Sequence, residues 1–250
     1  MSCKLAQFIL RAWILFLLLA VPGQCFQHES EHSGMAHGRN LSESSPQDPA
    51  QLAAVKRFSE FNHHFAGLFV LLVGLLAMLE PYLATRFRFM RYFWCALFWI
   101  PGVYLLILSD PESWPVGDQS LHYVLTQNMQ VLQHKVFSLL LLGLGLVEYL
   151  RARNQLRAQW TIALFPAMAA AGAMLLLFHS SAVHAGGMDA AAHLAMQKIE
   201  LQHIGFAAVG FGIALTKAIA DTGRFQARLM RILFALLLVL LGGLLITYTE

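Results

Sequence analysis

The chain has 250 residues, of which 58% are hydrophobic and 12% are charged, and its formal net charge is +3. A soluble globular protein carries about 25% charged residues, so this composition excludes an ordinary soluble domain and is typical of a membrane protein. The small net charge gives no reason to expect a nucleic-acid partner. The three cysteines, Cys3, Cys25 and Cys95, have neither the spacing of a zinc site nor that of a disulfide framework.

The first 55 residues fall into two segments of different composition. Residues 1–23 begin with Lys4 and Arg11, continue with an apolar core and end in small residues, which predicts a secretory signal peptide. An uncleaved signal anchor is the alternative, and it leaves the next segment on the same side of the membrane. Residues 24–55 are polar, contain histidine and methionine and show no apolar period, so they predict a flexible extracytoplasmic tail.

Residues 56–250 are predicted to form an all-α transmembrane domain, a polytopic helical bundle with about six membrane helices. An apolar run of about 20 residues can cross a bilayer as a helix, which satisfies its own backbone hydrogen bonds in lipid. The loops between the runs are short, so consecutive helices are expected to pack antiparallel. The six predicted spans are 65–84, 92–108, 131–150, 160–178, 201–219 and 230–247.

Arginine-bearing loops alternate along the chain with loops that carry acidic residues. Because lysine and arginine are enriched in cytoplasmic loops, this alternation predicts which side of the membrane each loop occupies. The predicted location is a bacterial inner membrane, with the N-terminal tail in the periplasm. The arginine-bearing segments are 85–91, 151–159 and 224–231, and the loops expected outside are 109–130 and 179–198.

All eleven histidines lie in the tail or at the outer ends of the predicted helices. Histidine is comfortable at a membrane interface because its aromatic ring has a polar tip. That explanation suits His122 and His193, but it does not explain why one side of the membrane carries them all. His134, His179 and His203 lie at or just inside apolar spans, where a polar ring is expected to face the bundle. This distribution predicts metal handling at the outer face.

The predicted fifth helix carries imidazole, thioether and carboxylate groups at positions i, i+3, i+7 and i+10. They form one stripe if the helix extends outward from the membrane. Because helices four and five are neighbours, His179 and His203 are expected to approach each other. His134, and either His63 or His64, are expected to join them from other helices. Imidazole and thioether ligands suit copper, with zinc as the alternative metal. The predicted metal ligands are His179, His184, His203, His134, His63, His64, Met188 and Met196.

Three motifs along the fourth and fifth spans carry a family resemblance: Leu-Phe-His at 177–179, Gln-His-Ile-Gly-Phe at 202–206 and Leu-Thr-Lys at 215–217. With them, residues 175–220 resemble CopD-like copper-resistance membrane proteins. The resemblance implies a multi-pass protein of copper transport, resistance or homeostasis that moves copper across the membrane or accepts it from a periplasmic carrier protein. It places the metal on His179, His184 and His203, and less directly on His134.

Two other functions stay open. CopD-like proteins are similar in architecture to b-type cytochromes, so one outer haem b held by His134 and His203 would make the chain an electron-transfer protein. A metal-sensing membrane scaffold is the other alternative. No phosphate loop, nucleophile elbow or His-Glu-x-x-His motif is present, so no enzymatic activity is predicted.

Glu80, Glu148 and Lys217 lie near the predicted cytoplasmic ends of their helices. An ion pair, or side chains that extend to the interface, is the expected arrangement for charges at this depth. The inner end of an ion path is the alternative interpretation of these three residues.

Overall fold

The computed structural model describes residues 49–178, 190–223 and 226–250. These residues are mainly helical and form no β-strand. Six of their helical segments are long and apolar enough to cross a membrane, which confirms the predicted all-α polytopic bundle. The spans are Lys56–Leu83, Met90–Ile107, Val131–Ala152, Gln159–Leu177, Leu194–Thr222 and Ala227–Ile246.

The described ranges contain eight α-helices, because the second span is made of two short helices and one helix lies in a loop. The first helix begins at Pro49, so residues 49–55, predicted to belong to the tail, are already helical. A 3₁₀ helix, Gln159–Ala163, opens the fourth span. The helices are α1 Pro49–Leu83, α2 Met90–Ala96, α3 Trp99–Ile107, α4 Leu121–Gln127, α5 Met129–Ala152, α6 Leu164–Leu177, α7 Ala190–Thr222 and α8 Ala227–Ile246.

Two prolines explain why two of the spans are not continuous α-helices. Proline has no backbone N–H, and its ring clashes with the carbonyl four residues earlier. For Pro101 that carbonyl belongs to Leu97, which lies at the junction of α2 and α3. For Pro166 it belongs to Ile162, which lies in the 3₁₀ helix before α6. Each proline therefore stands in the first turn of a helix, where its missing N–H costs least.

The helices form a closed ring. α1 packs against α8, α8 against α7, α7 against α6, α6 against α5, and α5 against α2 and α3, which return to α1. The first and last spans are therefore neighbours. One end of the bundle holds His63, His134 and His203 and is called the histidine end. The opposite end holds Glu148 and Lys217 and is called the ion-pair end.

Glycines bring α1 and α8 into backbone contact. A Cβ atom on Gly242 would lie 2.4 Å from the backbone nitrogen of Leu71, and one on Gly74 would lie 2.7 Å from that of Val239. Gly67 is equally close to α8. Small residues of this kind allow membrane helices to approach closely enough for extensive van der Waals packing. The contact fixes the relative position of α1, which bears His63, and α8, which leads into Tyr248.

Candidate functional site

Three of the predicted ligands line one cavity at the histidine end. His63 comes from α1, His134 from α5 and His203 from α7, and the cavity has a volume of about 220 Å³. Asn62 and Gln133 are its other polar residues, and the rest of the lining is apolar. The cavity therefore has a polar rim of histidines and amides above an apolar interior between the helices.

His63 and His203 are the two histidines whose rings pack together in this cavity. Their centroids lie 6.0 Å apart and the ring planes are nearly perpendicular, at 89°. Nδ1 of His63 lies 2.9 Å from the carbonyl of Ser59, and Nδ1 of His203 lies 2.8 Å from the carbonyl of Ile199. A carbonyl oxygen only accepts, so Nδ1 is the donor in both rings and the neutral imidazole has its lone pair on Nε2. This is the tautomer in which a histidine binds metal through Nε2.

Tyr248, which follows α8, holds the rings of this pair in place. It stacks on His63 with the centroids 3.9 Å apart and meets His203 edge-on at 5.9 Å. Burial, together with the carboxylate of Glu250, raises the pKa of the Tyr248 hydroxyl. The hydroxyl therefore stays protonated and donates a hydrogen bond to that carboxylate over 3.0 Å. The end of the described chain is thus part of the wall around the histidines.

The neighbouring His64 has a different role. Its Nε2 atom donates to the backbone carbonyl of Tyr248 over 2.9 Å, and its side chain does not line the cavity. His64 therefore fastens α1 to the segment after α8, whereas His63 faces the cavity. The sequence left open which of the two histidines faces the bundle.

His134 is paired with a carboxylate that the predicted ligand set did not contain. Its Nδ1 atom lies 3.1 Å and 3.2 Å from the two carboxylate oxygens of Asp110. Burial alone would raise the pKa of Asp110, but the hydrogen bond and charge of His134, with Ser109 and Lys135, hold it below its usual value. A carboxylate on the second ring nitrogen orients a metal-binding histidine and raises its basicity. The sequence offered one signal: Asp110 and His134 lie at the same end of adjacent spans.

Of the four remaining predicted ligands, the structure describes only Met196. α7 begins at Ala190, well before the predicted span 201–219, so the helical condition for the stripe is met, and Met196 lies half-buried on α7, two turns before His203. Within the described ranges, no group of three or more His, Cys, Asp or Glu side chains is placed to hold a metal ion. The site there is a histidine pair with a third, carboxylate-bound histidine on the same cavity. His179, His184 and Met188 lie outside the described residues.

Four charged side chains form a neutral ring at the opposite end of the bundle, here called the ion-pair ring. Arg151 Nη1 lies 2.6 Å from Glu148 and 2.5 Å from Asp221. Lys217 Nζ lies 3.0 Å from Glu148 and 3.1 Å from Asp221. Each cation therefore contacts both anions. Of the two arrangements expected for these charges, Glu148 and Lys217 adopt the ion pair. The four residues come from α5 and α7, so the ring ties these two helices together.

An aromatic septum lies between the histidine-end cavity and the ion-pair ring. Phe165 lines that cavity, and Phe234 lines a second cavity at the ion-pair end. The two ring centroids are 5.6 Å apart, and Lys217 Nζ lies 5.4 Å from each of them. A cation over two ring faces is attracted by both. A positive charge and two aromatic rings thus occupy the place where the two cavities approach each other.

No family model, curated protein or solved structure matches this chain. The CopD-like resemblance of residues 175–220 therefore stays a prediction from the sequence. Of the residues that carry it, His179 lies outside the described residues, whereas His203, Phe206 and Lys217 are described on α7. Inferences about function depend on the geometry of the two ends of the bundle.

Proposed function

We propose that this chain is a copper-binding protein of the bacterial inner membrane that takes part in copper transport, resistance or homeostasis. Its histidine end faces the periplasm and exchanges copper with a periplasmic carrier protein. The support for this orientation is the placement of Arg86, Arg153 and Arg228 at the ion-pair end, since arginine is enriched on the cytoplasmic side.

The observation that carries the proposal is the pair His63 and His203. Two helices distant in sequence bring their rings to 6.0 Å, and each Nδ1 is bound to a carbonyl of its own helix. A metal ion bonded linearly to two Nε2 atoms at about 2.0–2.1 Å holds the ring centres roughly 6 Å apart. The observed separation of the ring centroids is compatible with a metal ion held between these two rings.

The character of the site favours copper over zinc and over haem. A structural zinc site uses four protein ligands, whereas Cu(I) accepts low coordination numbers and soft or imidazole ligands. The cavity of about 220 Å³ is smaller than the ~300–1,000 Å³ of pockets that hold drug-sized ligands. A haem is larger than such a ligand, so the cavity suits an ion better. His179, His184 and Met188 are proposed as additional ligands on the basis of the sequence.

The aromatic septum lies on the way of any copper ion that would pass through the bundle from the histidine end to the ion-pair end. A copper ion that leaves His203 toward the ion-pair end meets Phe165 and Phe234 and then the ammonium group of Lys217. Phe165 and Phe234 offer a metal ion no nitrogen, oxygen or sulfur ligand, and a charge without such partners is costly to bury. Transport through the bundle therefore requires the septum to open, whereas binding and exchange at the histidine end do not.

The test is a Cu(I) titration of the purified full chain against a chromophoric chelator, with metal analysis and a visible spectrum of the same sample. His63→Ala and His203→Ala are each expected to weaken Cu(I) binding at least about tenfold, because each removes a ligand. His122→Ala is the matched control, since His122 is exposed at the same end and lies outside the cavity.

Parental copper affinity in the His63→Ala and His203→Ala variants would show that the pair is not the site. A Soret band in the parent protein would instead favour the cytochrome alternative. Variants His179→Ala and His184→Ala extend the titration to the predicted ligands that the structure does not describe. Cellular copper content with and without the chain then tests the role in homeostasis.

A further inference from the structure

The cavity at the ion-pair end is the larger of the two, with a volume of about 800 Å³. It lies among α1, α2, α5, α7 and α8, and its lining combines charged groups with apolar residues such as Met78 and Ile232. Five basic residues face three acidic ones, which leaves an excess of two positive charges. The basic residues are Arg91, Arg151, Lys217, Arg228 and Arg231, and the acidic ones are Glu80, Glu148 and Asp221.

Three arginines carry the positive charge that the ion-pair ring does not neutralise. The ion-pair ring neutralises Arg151 and Lys217 internally, with Glu148 and Asp221. Arg91, Arg228 and Arg231 make no ion pair with any residue in the part of the chain that the structure describes. They are exposed and line the cavity, Arg91 from α2 and the other two from the start of α8. Glu80 also lines the cavity and lies outside the ion-pair ring.

The chemistry of this lining fits a phosphate group. Guanidinium groups match the geometry of phosphate oxygens and bind them with paired hydrogen bonds. Basic cavities between membrane helices on the cytoplasmic side bind anionic headgroups. Tyr82 and Trp94 also line the cavity, and such aromatic residues are enriched at the level of the headgroups. The apolar part of the lining offers contact for an acyl chain.

We infer that this cavity binds the phosphate of an anionic phospholipid headgroup through Arg91, Arg228 and Arg231. The inference is independent of the proposed copper site, which lies at the other end of the bundle. Two excess positive charges suit a headgroup with more than one negative charge, so cardiolipin, which carries two phosphates, is the probe of choice.

The experiment is native mass spectrometry of the full chain in detergent, titrated with cardiolipin, phosphatidylcholine or inorganic phosphate. Cardiolipin is expected to bind most tightly, and Arg228→Ala combined with Arg231→Ala is expected to weaken it at least about tenfold. Arg86→Ala is the matched control, because Arg86 lies at the same end, over the ring of Phe87, and does not line the cavity. The control is expected to keep the parental affinity.

Each of the following outcomes overturns the inference. Equal loss in the Arg86→Ala control shows general attraction to the basic surface, and unchanged affinity in the double variant shows that the cavity is not the site. Inorganic phosphate that competes fully with cardiolipin makes a soluble phosphate the occupant in place of a lipid. Arg91→Ala, a single substitution on α2, provides the same comparison if the double variant does not fold, and a retained parental affinity there counts equally against the headgroup site.

Discussion

His63 and His64 are adjacent in the sequence but have different partners. Successive residues on a helix point about 100° apart, so only one of two neighbours can face a given cavity. His63 faces the histidine-end cavity and stacks on Tyr248, whereas His64 donates to the Tyr248 carbonyl. Both residues are histidines, next to each other in one helix, so the sequence does not distinguish them. The rotation of α1 about its axis decides which of the two faces the cavity.

The depressed pKa of Asp110 predicts a pH-dependent contribution to stability. The folded protein favours the ionised carboxylate through His134, Ser109 and Lys135, so the stabilisation is complete above the ordinary pKa of aspartate. It is lost as the pH falls through the lower folded value. Asp110→Asn is therefore expected to cost about 1–3 kcal/mol at neutral pH and progressively less in acid.

Thermal unfolding of the full chain in detergent, measured across a pH series, checks this expectation. Asp118→Asn is the control, because Asp118 is exposed on the same loop. A cost for Asp110→Asn that stays constant from neutral pH to strong acid would mean that the ionised carboxylate is not what stabilises the fold.

At the scale of helices, the closest contact is the one between α1 and α8. Gly74 and Gly242 lie against the backbone of the facing helix, whereas Gly205 and Gly243 do not lie against any helix. A Cβ on either of the latter two would have no atom within 4 Å apart from its own neighbours and helix backbone. A glycine in a membrane helix therefore makes close helix–helix contact possible. The rotation of that helix about its axis decides whether a neighbouring helix lies against the glycine.

This contrast makes a matched pair of substitutions. Gly242→Ala is expected to destabilise the protein by about 1–3 kcal/mol, because its Cβ would lie 2.4 Å from the backbone of Leu71. Gly243→Ala is expected to be neutral or to stabilise by up to about 1 kcal/mol, since alanine is the better helix former. Thermal unfolding of both variants in the same detergent measures the difference. Equal melting temperatures would contradict the close α1–α8 contact.

At the scale of the whole molecule, the ion-pair ring joins α5 to α7 around a buried neutral cluster. Glu148→Gln leaves two cations against one carboxylate there and is expected to cost about 3–5 kcal/mol, as for other broken buried pairs. Adding Lys217→Met restores neutrality, since Arg151 keeps its contact with Asp221. The double variant is therefore expected to be more stable than Glu148→Gln alone.

A double-mutant cycle from denaturant or thermal unfolding gives the coupling energy of Glu148 with Lys217. Glu112→Gln serves as the control, because Glu112 is exposed and single exposed charges contribute little. Additive costs in the double variant would show that the two side chains do not act as a pair in the folded protein.

The two ends of the bundle also separate two kinds of chemistry. Histidines and amides surround the smaller cavity, and arginines with carboxylates surround the larger one. Phe165, Phe234 and Lys217 stand between them. The copper proposal and the headgroup inference concern different residues at opposite ends of the bundle, so they can be tested independently.

By itself, the sequence determined the all-α class, the six spans and the segregation of histidine from arginine. Hydrophobic length and charge are local properties, and a bilayer acts on each span separately. Only the tertiary structure decided that α8 returns to α1 and places Tyr248 against His63. It also decided that Asp110 pairs with His134, and that Lys217 lies over two aromatic rings. These contacts depend on which helices are neighbours in the ring and on how each helix is rotated about its axis. The sequence of a single span determines neither.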